Sequence, residues 1–240
     1  KAARERSAWL AERMRLLAEG KRAPLVLAPS KVSAEALAPA PVAADASLPE
    51  AAGVSAAEIR QSRDVLLLFG QAFHRIMELA DLSRATAVGR VARAVASELR
   101  IADKASELER LAAAALESEL IIRAAKAPRC YREAPFTLHI DGSLIEGRID
   151  LLFEENGRWT LVDYKTDDVT REMAGQRLAS YRPQAAVYAL ALEKLGIACA
   201  GGIILYFVRP NAAMPIERSA ELLAEAERLI RAALTGRPGA

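Results

Sequence analysis

Asn156-Gly157 separates two apolar segments, Leu144 to Phe153 and Trp159 to Lys165, and no other feature of the chain constrains its fold as tightly. Asn-Gly between alternating hydrophobic residues favours a two-residue hairpin turn, because both positions must accept positive φ. Such a turn sets the register: Glu155 pairs with Arg158 and, counting back, Asp150 lies opposite Asp163. Facing side chains in an antiparallel pair sit roughly 4.5–5.5 Å apart at Cβ, so like charges placed there are destabilising. Something cationic must compensate, and a divalent metal is the natural candidate. Side chains alternate along a strand, which puts Lys165 on the face of Asp163 and Tyr164 on the other. Two carboxylates and an ammonium therefore converge within otherwise apolar strands.

A second turn, Asp141-Gly142, extends the hairpin to a three-stranded antiparallel meander with Cys130 to Ile140 as its first strand. Its register brings Glu133 opposite Asp150, so Glu133, Asp150 and Asp163 form one row. Pro135 has no N–H to donate, which assigns this first strand to a sheet edge. Beyond the meander, residues 174–195 read as a helix. The apolar run Gly201-Gly-Ile-Ile-Leu-Tyr-Phe-Val208 suits a buried parallel strand reached by a right-handed crossover. Upstream, residues 54–126 are mostly helical, opened by a Ser55/Glu58 capping box, with further helices near 84–99 and 103–125. Residues 4–19 suggest an amphipathic helix and Ala23 to Gly53 a Pro/Ala-rich linker. Residues 217–234 suggest a closing amphipathic helix. The expected organisation is an N-terminal helix and linker over 1–53 and one principal domain over 54–240.

The 33 Lys and Arg nearly balance the 31 Asp and Glu, so any nucleic-acid surface must be local rather than a field of the whole chain. No apolar run is long enough to span a bilayer, and a soluble, cytoplasmic protein without a membrane partner is expected. Two cysteines, Cys130 and Cys199, cannot complete a four-thiolate iron-sulfur cluster, and buried inert thiols are the simpler reading. A row of acids repels phosphate, but with Mg²⁺ the logic inverts: hard oxygen ligands hold the ion while phosphate and water complete its shell. Lys165 beside that water can orient it or stabilise developing negative charge. Hydrolysis of a phosphodiester is the reaction this patch fits best. Arg148, opposite Lys165 in this register, receives no role.

Five segments then form a series: Phe69-Gly-Gln-Ala-Phe-His74, Glu133-Ala-Pro-Phe136, Gly147-Arg-Ile-Asp150, Leu161-Val-Asp-Tyr-Lys-Thr-Asp167 and Tyr181-Arg-Pro-Gln-Ala-Ala-Val-Tyr188. In this order they resemble the motifs of RecB-family nucleases of the PD-(D/E)xK superfamily, most nearly the C-terminal nuclease domain of AddA-type helicase-nucleases. The resemblance implies an α/β fold with a mixed β-sheet core of αβββαβ type, restriction-endonuclease-like, with additional N-terminal and C-terminal helices. It implies His74, Asp150, Asp163 and the main-chain carbonyl of Tyr164 as ligands of Mg²⁺, with Mn²⁺ as an alternative, and Lys165 as the catalytic amine. Glu133 would support a second metal or a ligating water. Gln184 and Tyr188, four residues apart and so on one helical face, would support the site and contact DNA. Tyr181 and Arg182 are placed to reach a phosphate or stack on a base. His139 lacks this context and reads as structural. The chain has no Gly-x-x-x-x-Gly-Lys-[Ser/Thr] phosphate loop, so no nucleotide and no ATPase motor are expected in it. The implied activity is exonucleolytic cleavage of DNA, preferentially single-stranded, in double-strand-break repair and recombination, with attached helicase domains and an AddB-type partner. The alternatives are a non-catalytic DNA-binding or assembly module of the same fold, and a stand-alone repair endonuclease.

Overall fold

A computed structural model describes residues 26–29 and 56–235. The expected N-terminal helix and the Ser55 cap lie outside these residues. Among the described residues, four α-helices precede the meander: α1 (Ala56–Leu79), α2 (Val88–Glu98), α3 (Ala105–Leu116) and α4 (Glu119–Lys126). The meander follows as β2 (Arg129–Ile140), β3 (Ser143–Glu155) and β4 (Arg158–Lys165). Then come α5 (Arg171–Lys194), β5 (Gly202–Phe207), β6 (Ala212–Ile216) and α6 (Ala220–Thr235). A short strand β1 (Val26–Leu27) lies within the stretch expected to be a linker and pairs parallel to β3. The helix expected near 103–125 is two helices, because Ser118 ends α3 and its hydroxyl accepts the Ile121 N–H as the cap of α4.

The six strands form one mixed sheet in the order β1-β3-β4-β5-β6, with β2 on β3. Both hairpin registers are those expected from the turns, since Ile140 pairs with Ser143 and Glu155 with Arg158. Asn156 and Asp141 adopt the positive φ that the turns demand. Among the described residues β2 pairs with β3 alone, so Pro135 does sit in an edge strand. β5 runs parallel to β4, as its unbroken apolar composition requires. β6 was not anticipated: five residues with Pro215 among them carry no alternation strong enough to announce an edge strand.

Helices cover both faces. α5 and α6 pack with Ile145, Ile149, Leu152 and Leu161, and α1 to α4 pack with Leu151, Phe153, Val162 and Tyr164. α1 buries Phe69, Phe73, Ile76 and Met77 along one stripe, each contributing roughly 1.5–3 kcal/mol. That stripe sets the rotation of the helix and carries Gly70 and His74 on an adjacent row to the open end of β4. Among the described residues no helix is long and apolar enough to cross a membrane.

The sheet contains one irregularity that matters for the site. Ile149 belongs to the α5 face and Leu151 to the α1 face, although strict alternation would put them together. On β2 the partner residues do the same: Ala134 packs on the α5 side, whereas Arg132 reaches the carbonyl of Met77 at 3.4 Å on α1. The register is the same on either side of the change, with Ala134 on Ile149 and Arg132 on Leu151, but Glu133 and Asp150, expected to pair, are left out of the ladder between them. Both strands therefore turn over at a single level, that of Glu133 and Asp150, where Glu133 has φ +48°.

Candidate active site

The β3–β4 ladder runs from Glu155↔Arg158 to Leu151↔Val162 and stops, while β4 continues on its other side against β5 as far as Lys165↔Phe207. Where the next rung would form, Asp150 substitutes its side chain: Oδ2 accepts the Tyr164 N–H at 2.6 Å. The N–H and C=O of one residue leave an extended strand on the same side. The Tyr164 carbonyl therefore faces this opening too, while the Lys165 carbonyl faces β5 and accepts from Val208 N at 2.9 Å.

From α1, His74 enters the opening. Its Nδ1 lies 3.2 Å from Asp150 Oδ1 and 3.7 Å from Glu133 Oε1. One ligand atom from each of His74, Glu133 and Asp150 lies within 4.8 Å of the other two. Gly70, four residues before His74, permits the approach, since a Cβ there would stand 3.2 Å from Thr166 Oγ1. Burial alone would lower the imidazole pKa, but the Asp150 and Glu133 carboxylates outweigh it and push it up to about 10. Two carboxylates converging on one ring nitrogen favour positive charge at this point.

Asp163 faces the α5 side. Its Oδ2 stands 2.6 Å from Lys165 Nζ, an ion pair by charge and distance, yet this buried oxygen meets no donor at hydrogen-bonding angles. Burial drives the Asp163 carboxyl up to about 6 against the pull of Lys165, and the charge of Asp150 adds to the rise. The Lys165 ammonium donates to Gln184 Oε1 at 2.7 Å, and Gln184 Nε2 donates to Tyr188 OH at 3.0 Å. Tyr188 is edge-on to Phe136 at 5.7 Å between ring centroids, and Phe136 lies across β3 opposite Gly147. A Cβ on Gly147 would sit 2.8 Å from the Phe136 ring, so only glycine lets that ring lie there.

The structure thus brings together His74, Glu133, Asp150, Asp163, Tyr164, Lys165, Gln184 and Tyr188, in two linked groups rather than one straight row. Tyr181 and Arg182 have partners within the protein. Arg182 Nε donates to Glu225 Oε2 on α6 at 2.9 Å, and Tyr181 OH donates to Asp167 with both carboxylate oxygens at 2.8 Å. His139 is exposed on β2, apart from the cluster. Asp167, which closes the segment Leu161–Asp167 two residues after Lys165, holds the Tyr181 hydroxyl although the motif series assigns it no role.

A carboxylate, an imidazole and a second carboxylate beside a buried acid–ammonium pair suit metal-assisted attack on a phosphoryl group. An ATP-dependent helicase/nuclease of Geobacillus thermodenitrificans is 28% identical over 152 residues of one of its subunits, covering 52% of this chain and 12% of that protein. Its namesake from Heliobacterium modesticaldum is 35% identical over 149 residues, covering 52% of this chain and 11% of the relative. This chain thus spans a small part of the length of those relatives. A solved structure from Eubacterium rectale whose name proposes an exonuclease superposes with a TM-score of 0.43 at 15% identity, over 72% of this chain and 69% of that one. The family model of the PD-(D/E)XK nuclease superfamily matches residues 47–237, and on that match the chain belongs to this superfamily.

Proposed function

We propose that this chain is a Mg²⁺-dependent deoxyribonuclease domain, carried by residues 54–240 with β1 added to its sheet. It acts in the cytoplasm as the exonuclease module of an AddA-type helicase-nuclease in double-strand-break repair and recombination. Its substrate is DNA, single strands preferred, delivered by attached helicase domains working with an AddB-type partner. The observation that carries the reading is the junction of the His74/Glu133/Asp150 cluster with the Asp163–Lys165 pair.

The donor set fits a hard divalent cation. Its oxygens are carboxylate and carbonyl, the His74 imidazole stands against two acids and offers Nδ1 to an ion once it has given up its proton, and Asp163 Oδ2 is buried without a hydrogen bond. His74, Asp150, Asp163 and the Tyr164 carbonyl would hold the ion, with Glu133 beside them. When bound, such an ion supplies Lewis acidity toward the phosphoryl group and an acidified water. The remaining work falls to the chain. Lys165, held by Gln184, presents a fixed positive charge where negative charge develops in the transition state. Asp150, tied to the Tyr164 N–H, keeps its second oxygen aimed at His74.

Cleavage of labelled single-stranded DNA is the test. Activity is expected with Mg²⁺, not with EDTA, and Asp163→Ala or Lys165→Ala should lower it by roughly 10²–10³-fold while circular dichroism shows the fold retained. Undiminished cleavage in both variants would sink the proposal.

A further inference from the structure

The Lys165 ammonium has three N–H groups and is largely buried, so each direction needs a partner. Gln184 Oε1 at 2.7 Å accepts from one, and the Asp163 carboxylate, with Oδ2 2.6 Å away, balances the charge from a second side as an ion pair. In the remaining direction Nζ stands over the ring of Tyr181, 4.3 Å from its centroid. That ring is itself fixed at both ends. Its hydroxyl donates to Asp167, both carboxylate oxygens standing at 2.8 Å, and its edge meets Phe207 of β5 with centroids 6.1 Å apart. Tyr181 and Gln184 are three residues apart on α5 and so share the face that looks onto Lys165.

We infer that Asp167 and Tyr181 act as positioning residues for Lys165, with the phenol ring as the third wall of the ammonium site; the inference rests on the nuclease reading of that site. A cation over an aromatic face is attracted by the ring quadrupole, and the attraction grows when the pair is shielded from water. A phenol that donates to a carboxylate carries more electron density in its ring, so Asp167 both anchors the wall and strengthens it. Asp167 follows Lys165 by two residues, so the segment that carries the amine also carries the anchor of its wall. With its hydroxyl and its face both engaged inside the protein, Tyr181 is not free to serve as a stacking platform for a base.

The test compares Tyr181→Leu, Tyr181→Phe and Asp167→Asn with the parent by single-turnover cleavage of single-stranded DNA in Mg²⁺, by DNA affinity in Ca²⁺ and by thermal melting. Tyr181→Leu should slow cleavage on the order of thirtyfold, the rate equivalent of ~2 kcal/mol, with DNA affinity unchanged within about twofold. Tyr181→Phe and Asp167→Asn should each give a smaller loss, and the double variant should be no slower than the worse single one, because both remove the same anchor. Proton NMR supplies a readout independent of activity: the Lys165 ε-methylene resonances should be shifted upfield by the Tyr181 ring, and the shift should vanish in Tyr181→Leu. Weaker DNA binding with an intact cleavage rate would overturn the inference in favour of base stacking, as would an unshifted Lys165 signal in the parent. A parent protein that cuts no DNA refutes the nuclease reading instead, and the ring-current shift then decides by itself whether Tyr181 holds Lys165.

Discussion

Replacing Asp150 by Asn and by Ala separates its two duties. Its Oδ2 accepts the Tyr164 N–H at 2.6 Å in a buried setting, in place of a missing ladder rung. Asn keeps a carbonyl oxygen that can accept that N–H; Ala leaves the N–H with no acceptor, which costs about 1–3 kcal/mol. Both substitutions abolish the negative charge, so relief of repulsion from Asp163 and loss of the His74 contact are common to the two and cancel in the comparison. Asp150→Ala should therefore be less stable than Asp150→Asn by about 2 kcal/mol, which for a domain of this size lowers the melting temperature by roughly 4–8 °C. The assay is thermal or urea unfolding in EDTA. Repeating it across a magnesium series tests the other duty: each tenfold rise in Mg²⁺ above the dissociation constant should add about 1.4 kcal/mol to the parent and nothing to either variant. Equal stability of the two variants would refute the assignment of Asp150 as the replacement rung, and a magnesium response in Asp150→Asn equal to that of the parent would refute its assignment as a ligand.

Gly147→Ala should destabilise the fold by about 1–3 kcal/mol, because the new methyl would stand 2.8 Å from the Phe136 ring and 3.0 Å from Pro29; a urea midpoint equal to the parent's would show that the ring moves aside freely. Burial pushes the Cys199 thiol up to about 12, so a thiol reagent at pH 8 should label the half-buried Cys130 first and Cys199 only after denaturation. The folded value lies above the ordinary value of 9.0, so this group's contribution to stability is fully present below pH 9 and is lost as pH rises from there toward 12. A Cys199 that reacts at pH 8 in the folded protein as fast as Cys130 would contradict the burial argument.

The two hairpins were legible because their turns are local chemistry. Asn156-Gly157 and Asp141-Gly142 need no distant partner to select a positive-φ turn, and the turn alone dictates which residues pair. Pro135 announced the edge for an equally local reason, its missing N–H. What counting could not supply was the direction of side chains beyond Leu151 and Arg132, because counting assumes strict alternation and both strands turn over at Glu133 and Asp150. Asp150 and Asp163 consequently do not stand face to face; one looks to His74 and the other to Lys165. The environments of Tyr181 and Arg182 were hidden for a different reason. Their partners, Asp167 and Glu225, lie on other elements, and which of several acids a surface arginine meets is a matter of tertiary packing. β1 was missed because two residues of strand within a Pro/Ala-rich stretch acquire their pairing entirely from β3.

The turnover of β2 and β3 also explains how acids survive within an apolar sheet. In an unbroken ladder Asp150 and Asp163 would crowd one face, and His74, which comes from the α1 layer, could not meet an acid that points to the α5 layer. Ending the β3–β4 pairing at Leu151↔Val162 removes both difficulties. The opening lets Asp150 be approached from both layers, by His74 on one side and by the Asp163–Lys165 pair on the other. The cost is a forgone rung and a left-handed Glu133, the latter on the order of 1–2 kcal/mol. Asp150 offsets part of it by accepting the Tyr164 N–H, so the residue that needs the gap is also the one that closes its hydrogen bonding. The same bond fixes the carboxylate, leaving only its other oxygen to turn toward a cation. A neutral side chain could close the rung but would leave His74 only the more distant Glu133, and a lysine or arginine would bring charge without an acceptor. At this level of the sheet a short carboxylate meets both demands, which is the physical reason an aspartate interrupts the apolar strand at position 150.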